Sequence, residues 1–107
     1  MIIKNEWPVK MMPVKWYFGD GYSIFTRLFP LGGWEMHIVS KIPIRKIASK
    51  ILDSKNVDWW TTIPENNKMA INRAVRGGFN IVGKVEIIDS MTGNTATPLL
   101  LKRGKAK

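Results

Sequence analysis

The sequence predicts an α+β fold, with a mixed sheet and helices packed on its faces. Three observations carry that expectation. Strand-like runs separated by glycine and proline turns fill residues 14–39. Two stretches with helical spacing, one beginning near Ile44 and one at Asn67, are separated by a β-branched and aromatic run. The chain has 107 residues, 45% hydrophobic and 23% charged, which suits one core and is too short for a second.

Residues 1–13 carry two prolines and no clear period, and read as an arm with room for a short strand. Residues 14–107 read as a single domain. "VKWYFGDGYSIFTRLFPLGGWEMHIV" gives three strands, with turns at Gly19-Asp20-Gly21 and at Pro30 with Gly32-Gly33. In "WEMHIV" the alternation puts Trp34, Met36 and Ile38 on one face and Glu35, His37 and Val39 on the other. "IRKIASKILDS" has Ile44, Ile47, Ala48 and Ile51 at helical spacing, with a basic opposite face. "VDWWTTIP" is a strand. Asn67 then offers a helix cap, and Gly77-Gly78 a helix stop. "FNIVGKVEII" and "TATPLLLKR" are the last two strands, so the predicted order is β-β-β-α-β-α-β-β.

The absence of cysteine removes disulfides, thiolate catalysis and cysteine-based zinc sites, and it fits a reducing compartment. No apolar run approaches the roughly 18 residues that span a bilayer, and charges and prolines interrupt the N-terminal stretch, so it does not read as a signal peptide. The formal net charge of +9 favours anionic partners. The basic residues are dispersed, however, and a dispersed excess is more often a solvated surface. Nucleic acid enters as a partner on net charge alone.

In "NKMAINRAVRGGF", Asn67 is followed by Ala70, Ile71, Ala74, Gly78 and Phe79. This spacing resembles the asparagine-alanine-glycine-phenylalanine signature of the GNAT N-acetyltransferase family. "WEMHIV" is similar to the family's fourth strand, and "SKIPIRKIASKI" stands where the family has its pyrophosphate loop and following helix. The glutamate-x-histidine strand, the proline-x-arginine turn and "IPENN" resemble GNAT-like proteins of tailed phages, some of them acyltransferases and others virion or ejection components. The resemblance covers about four-fifths of the chain, from Val14 onward. It implies a mostly antiparallel GNAT-like sheet, shortened at the N-terminal side, and an acyl-CoA-binding module of phage origin.

Carried over residue by residue, the resemblance implies acetyl-CoA as cofactor. Ile38 and Val39 would pair with pantetheine, Arg45, Lys46 and Ala48 would meet the pyrophosphate, and Asn67 and Ala70 would flank the cofactor arm. Glu35, or else His37, is the candidate base. No metal site is expected. Two departures weigh against acetyl transfer: residues 45–50 contain no glycine for an amide cradle, and Ala74 stands where the family often has a tyrosine acid. A third is the lack of the N-terminal helices that build the acceptor side. The alternative reading is a non-catalytic virion or ejection protein using the fold for assembly contacts. Five tryptophans and six methionines would suit burial against a protein partner, a further copy of the chain included. The expected location is the cytoplasm of a bacterial host or the virion.

Overall fold

The structure, a computed structural model, describes residues 2–5, 14–29, 32–89 and 93–105. Most of the predicted arm, Pro30 of the second turn and the centre of the 89–94 connection lie outside these residues. The elements are β1 (Ile2–Asn5), β2 (Val14–Gly19), β3 (Tyr22–Leu28), β4 (Trp34–Ser40), α1 (Arg45–Asp53), β5 (Trp59–Ile63), α2 (Lys68–Arg76), β6 (Asn80–Lys84), β7 (Glu86–Asp89), β8 (Thr95–Ala96) and β9 (Leu99–Arg103).

Six strands form one sheet in the order β2-β3-β4-β5-β9-β6, antiparallel throughout except for the parallel pair β4–β5. A second sheet has the order β1-β7-β8, with β1 parallel to β7. The mixed, mostly antiparallel α+β architecture is the predicted one. Two predicted strands, however, each break in two. Residues 79–88 divide at Val85 between β6 and β7, and residues 95–103 divide at Pro98 between β8 and β9. The two breaks face each other, with the Val85 N–H donating to the Pro98 carbonyl at 3.1 Å. Proline has no amide to continue a ladder, so the chain changes sheets there.

The main core gathers Ile24, Met36, Trp59, Ile63 and Leu101 from the strands with Ile51 and Leu52 of α1 and Ile71 of α2. Both helices therefore cover one face of the large sheet, rather than one face each. Period-2 alternation sends Phe29, Trp60 and Leu100 to the opposite face, where Val85 and Ile87 of the small-sheet connection cover them. The two adjacent tryptophans serve the two faces. Trp59 Nε1–H donates to the Leu52 carbonyl at 3.0 Å, and Trp60 Nε1–H to the Gly32 carbonyl at 2.9 Å. Each indole thus satisfies its donor while burying its ring.

The start of β4 is set by Gly33. Its φ is +78°, and a Cβ there would stand 2.2 Å from the Asp58 carbonyl oxygen, the same oxygen that accepts from Trp34 N–H at 2.9 Å. Only glycine lets β4 begin so close to the chain entering β5.

Candidate functional site

β4 and β5 run side by side only briefly. Their register consists of Trp34↔Trp59 and Glu35↔Trp60. Beyond Glu35, β4 continues to pair with β3 as far as Ser40↔Tyr22, while β5 continues with β9 from Thr61↔Leu101 to Ile63↔Leu99. The two strands part, and the β5-facing edge of residues 36–40 has no strand partner among the described residues. Ile38 and Val39 lie on this open stretch, 43% and 74% exposed.

Because β4 and β5 are parallel, their carboxyl ends lie at the same end of the sheet. α1 follows the end of β4, and α2 follows the end of β5. The topology thus brings both helix N-termini to the side where the strands part, the usual location of ligand sites in sheets with parallel neighbours. Ile38, Val39, Arg45, Lys46, Ala48, Asn67 and Ala70 all belong to these segments.

The two helix starts differ. At α1 the cap residue is Ile44, no side chain caps the helix, and the first turn holds no acid. The Ala48 amide is the first to bond back, to the Ile44 carbonyl at 2.9 Å. Arg45 and Lys46 at this end oppose the helix dipole, so an anion there would be favoured by both the dipole and the two cations. The preceding turn is pinned: Ile42 N–H donates to Ser40 Oγ at 3.1 Å, Ser40 Oγ–H donates back to the Ile42 carbonyl, and Lys41 N–H donates to the Gly21 carbonyl at 2.8 Å. At α2 the Asn67 side chain accepts from the Ala70 amide at 3.3 Å and so serves as cap.

The residues carrying the family resemblance in α2 also have local work. Phe79 N–H donates to the Ala74 carbonyl at 3.0 Å, Gly78 N–H donates to the Val75 carbonyl at 3.1 Å, and Gly78 has φ +99°. This is a Schellman stop, with buried Phe79 closing onto the core beside Ala74. Ala70 and Ala74 pack against the same core.

Glu35 sits at the last position of β4 paired with β5 and is 3% exposed. Its Oε1 accepts from Arg27 Nε, and its Oε2 lies 2.9 Å from His37 Nε2. Burial pushes its carboxyl pKa up, but the bond and charge of His37 and those of Arg27 outweigh this and hold it below the ordinary value. An ionised carboxylate only accepts. The proton in the His37 bond therefore belongs to Nε2, and a neutral ring keeps Nδ1 as its acceptor. Phe25 stacks on the His37 ring with centroids 5.3 Å apart.

Sequence reading brought out Glu35 and His37 but missed Arg27. The signal was an opposite-charge pair facing across the β3–β4 hairpin, Arg27↔Glu35. Tyr17 and Tyr22 pack against the helical-face core, on the side of the sheet away from Glu35 and His37. Among the described residues no three His, Asp or Glu side chains converge as a metal site would require, and no helix is long and apolar enough to cross a membrane.

Among solved structures, the chain is similar to one described as a "putative phosphinothricin N-acetyltransferase", with a TM-score of 0.55 and 19% identity. The similarity covers 81% of this chain and 62% of that one, so this chain spans less than two-thirds of its length. It establishes a GNAT-like fold, as the resemblance in sequence implied. No protein-family model and no curated protein sequence matches the chain.

Proposed function

We propose that this chain is an acyl-CoA-binding module on a GNAT-like fold, with little N-acetyltransferase turnover. The observation that carries the reading is the parting of β4 from β5 after Glu35, which among the described residues leaves a strand edge free beside two helix N-termini. An amide-bearing cofactor arm is complementary to such an edge at Ile38 and Val39. Its phosphates suit the uncapped start of α1, where Arg45 and Lys46 supply the charge and Ala48 the small side chain. Asn67 and Ala70 would flank the arm from α2.

When bound, acyl-CoA supplies an activated thioester. The chain's own residues furnish half of an acid–base pair: Glu35 orients His37, and His37 Nδ1 can take a proton from an incoming amine. Glu35 itself is a poor base, because its carboxylate is already held by the Arg27 charge and by the His37 hydrogen bond. Neither tyrosine stands on that face to act as the matching acid, since both pack on the other. Residues 45–50, without glycine, offer charge but a less open cradle than the family's loop.

Calorimetric titration tests this reading, with acetyl-CoA as ligand and ATP as the control polyanion. Acetyl-CoA is expected to bind, to remain bound as salt is raised, and to bind much more tightly than ATP. No binding, or equal and salt-sensitive binding of both, overturns it. The second reading is a non-catalytic assembly component of a phage particle, and the exposed aromatic side chains on β2 favour it.

A further inference from the structure

Arg27, Glu35 and His37 form a chain of three polar side chains across the β3–β4 hairpin. The Arg27 side chain is 14% exposed, that of Glu35 4% and that of His37 32%, so the charge in the middle is sealed and the ring at the end is partly open. Arg27 Nε donates to Oε1 of Glu35, and Oε2 lies 2.9 Å from His37 Nε2. Phe25 touches both outer members: its ring stacks on the imidazole at 5.3 Å and lies 5.1 Å from the Arg27 guanidinium. His37 Nδ1 has no hydrogen-bond partner among the described residues.

One charge decides what such a ring can do. A buried carboxylate with no other cation draws an imidazole facing it into the imidazolium form, because an opposite charge nearby favours the charged state. An imidazolium has both nitrogens protonated and accepts nothing. In this cluster a positive charge is supplied at the other oxygen, by a guanidinium that never deprotonates. The carboxylate is then matched before His37 is reached, and a second positive charge on the ring would be repelled by the first. Within β2–β4 the remaining side chains described on this face, Trp16, Phe18, Ser23, Phe25 and Val39, carry no charge. Lys102, over the Trp60 ring, is engaged by Asp58 at 3.6 Å. Among the described residues, Arg27 is thus the cation placed to set the state of His37.

We propose that Arg27 is a positioning residue that acts through Glu35. It holds the carboxylate as an ion already matched in charge, so His37 stays neutral, keeps its proton on Nε2 and leaves the Nδ1 lone pair ready to accept. The group that Nδ1 would meet is the acceptor amine, and this use alone rests on the acyl-transfer reading. Without Arg27 the same histidine would be held as the cation of an ion pair with Glu35, and it could take no further proton at neutral pH.

The test reads the ring directly, without cofactor. His37 is the only histidine, so the isotope-labelled protein gives a single pair of imidazole nitrogens. Long-range proton–nitrogen NMR spectra separate the two neutral tautomers and the imidazolium. At neutral pH the unmodified chain is expected to show a protonated Nε2 and an acceptor-type Nδ1. Arg27→Met should raise the ratio of imidazolium to neutral ring about tenfold or more. Arg27→Gln, which can still donate to Glu35 but brings no charge, should do the same. Arg27→Lys should return the neutral pattern. Circular dichroism melting establishes which variants fold, and the unmodified chain is decisive by itself: an imidazolium, or a neutral ring protonated on Nδ1, overturns the proposal. A neutral Nε2–H pattern retained in Arg27→Met or Arg27→Gln also overturns it and leaves Arg27 a purely structural ion-pair partner. Because no acetyl-CoA is present, the expected patterns beside a failed acetyl-CoA titration would sink the cofactor reading and leave this one standing.

Discussion

The two faces of the large sheet are written by the same strands and end in opposite conditions. On the helical face Ile24, Met36, Trp59 and Leu101 are sealed beneath α1 and α2. On the other face Trp60 and Leu100 lie under the small-sheet connection, but Trp16, Phe18 and Val39 remain open. Both rows of β2–β4 are rich in apolar groups, so alternation alone does not say which is core. What separates them is coverage. Across the open half, the described residues supply stacked rings and one buried ion pair.

The largest expected effect lies on the covered face. Trp59→Ala removes a ring that is 1% exposed and frees the Leu52 carbonyl, and it should cost about 3–5 kcal/mol in urea denaturation. A cost no greater than that of an open-face variant would break the comparison. Next comes the charge buried between the faces' two regimes. Arg27→Met leaves the Glu35 carboxylate with the bond to His37 on its own strand and should cost about 3 kcal/mol at neutral pH.

This variant also sharpens the pH dependence. The Glu35 pKa is lowered on folding, so its stabilising contribution is complete above the ordinary value of 4.5 and is lost as pH falls through the lower folded value. Denaturation across a pH series should show that acid-side loss in the unmodified chain and a smaller one in Arg27→Met. Smaller still is Gly78→Ala, which forces a side chain into φ +99° at the helix stop, at about 1–2 kcal/mol by thermal melting. Smallest is Phe18→Ala, expected within about 0.5 kcal/mol, because an exposed ring leaves no cavity.

Much of this was legible in the sequence. The turn at Gly19–Gly21, the Asn67 cap and the Gly77-Gly78 stop are local chemistry, and each stands where the residues put it. Glu35 and His37 were found as neighbours because period 2 places them on one side of β4. Arg27 was not found, because its meeting with Glu35 depends on register across a hairpin rather than on spacing along one strand. The breaks at Val85 and Pro98 were missed for a similar reason. A continuous β-prone run does not reveal that its halves join different sheets until the facing break is known. Nor could spacing tell that both helices pack on one face, since each is amphipathic by itself.

The interior place of β9, between β5 and β6, has a consequence for synthesis. As the chain leaves the ribosome, β2, β3 and β4 can fold against one another as consecutive neighbours, and β5 can join β4 after α1. The other side of β5 must then wait for residues 99–103, which are translated after the other described strands. β6 waits for the same partner, and β1 waits for β7. Until then the nascent chain exposes the unpaired edge of a tryptophan-rich strand, and its long-range pairings close together at the end. Of the described strands, the one made latest is thus the one that locks the sheet, and the interval before it emerges is when these strands are most exposed to mispairing.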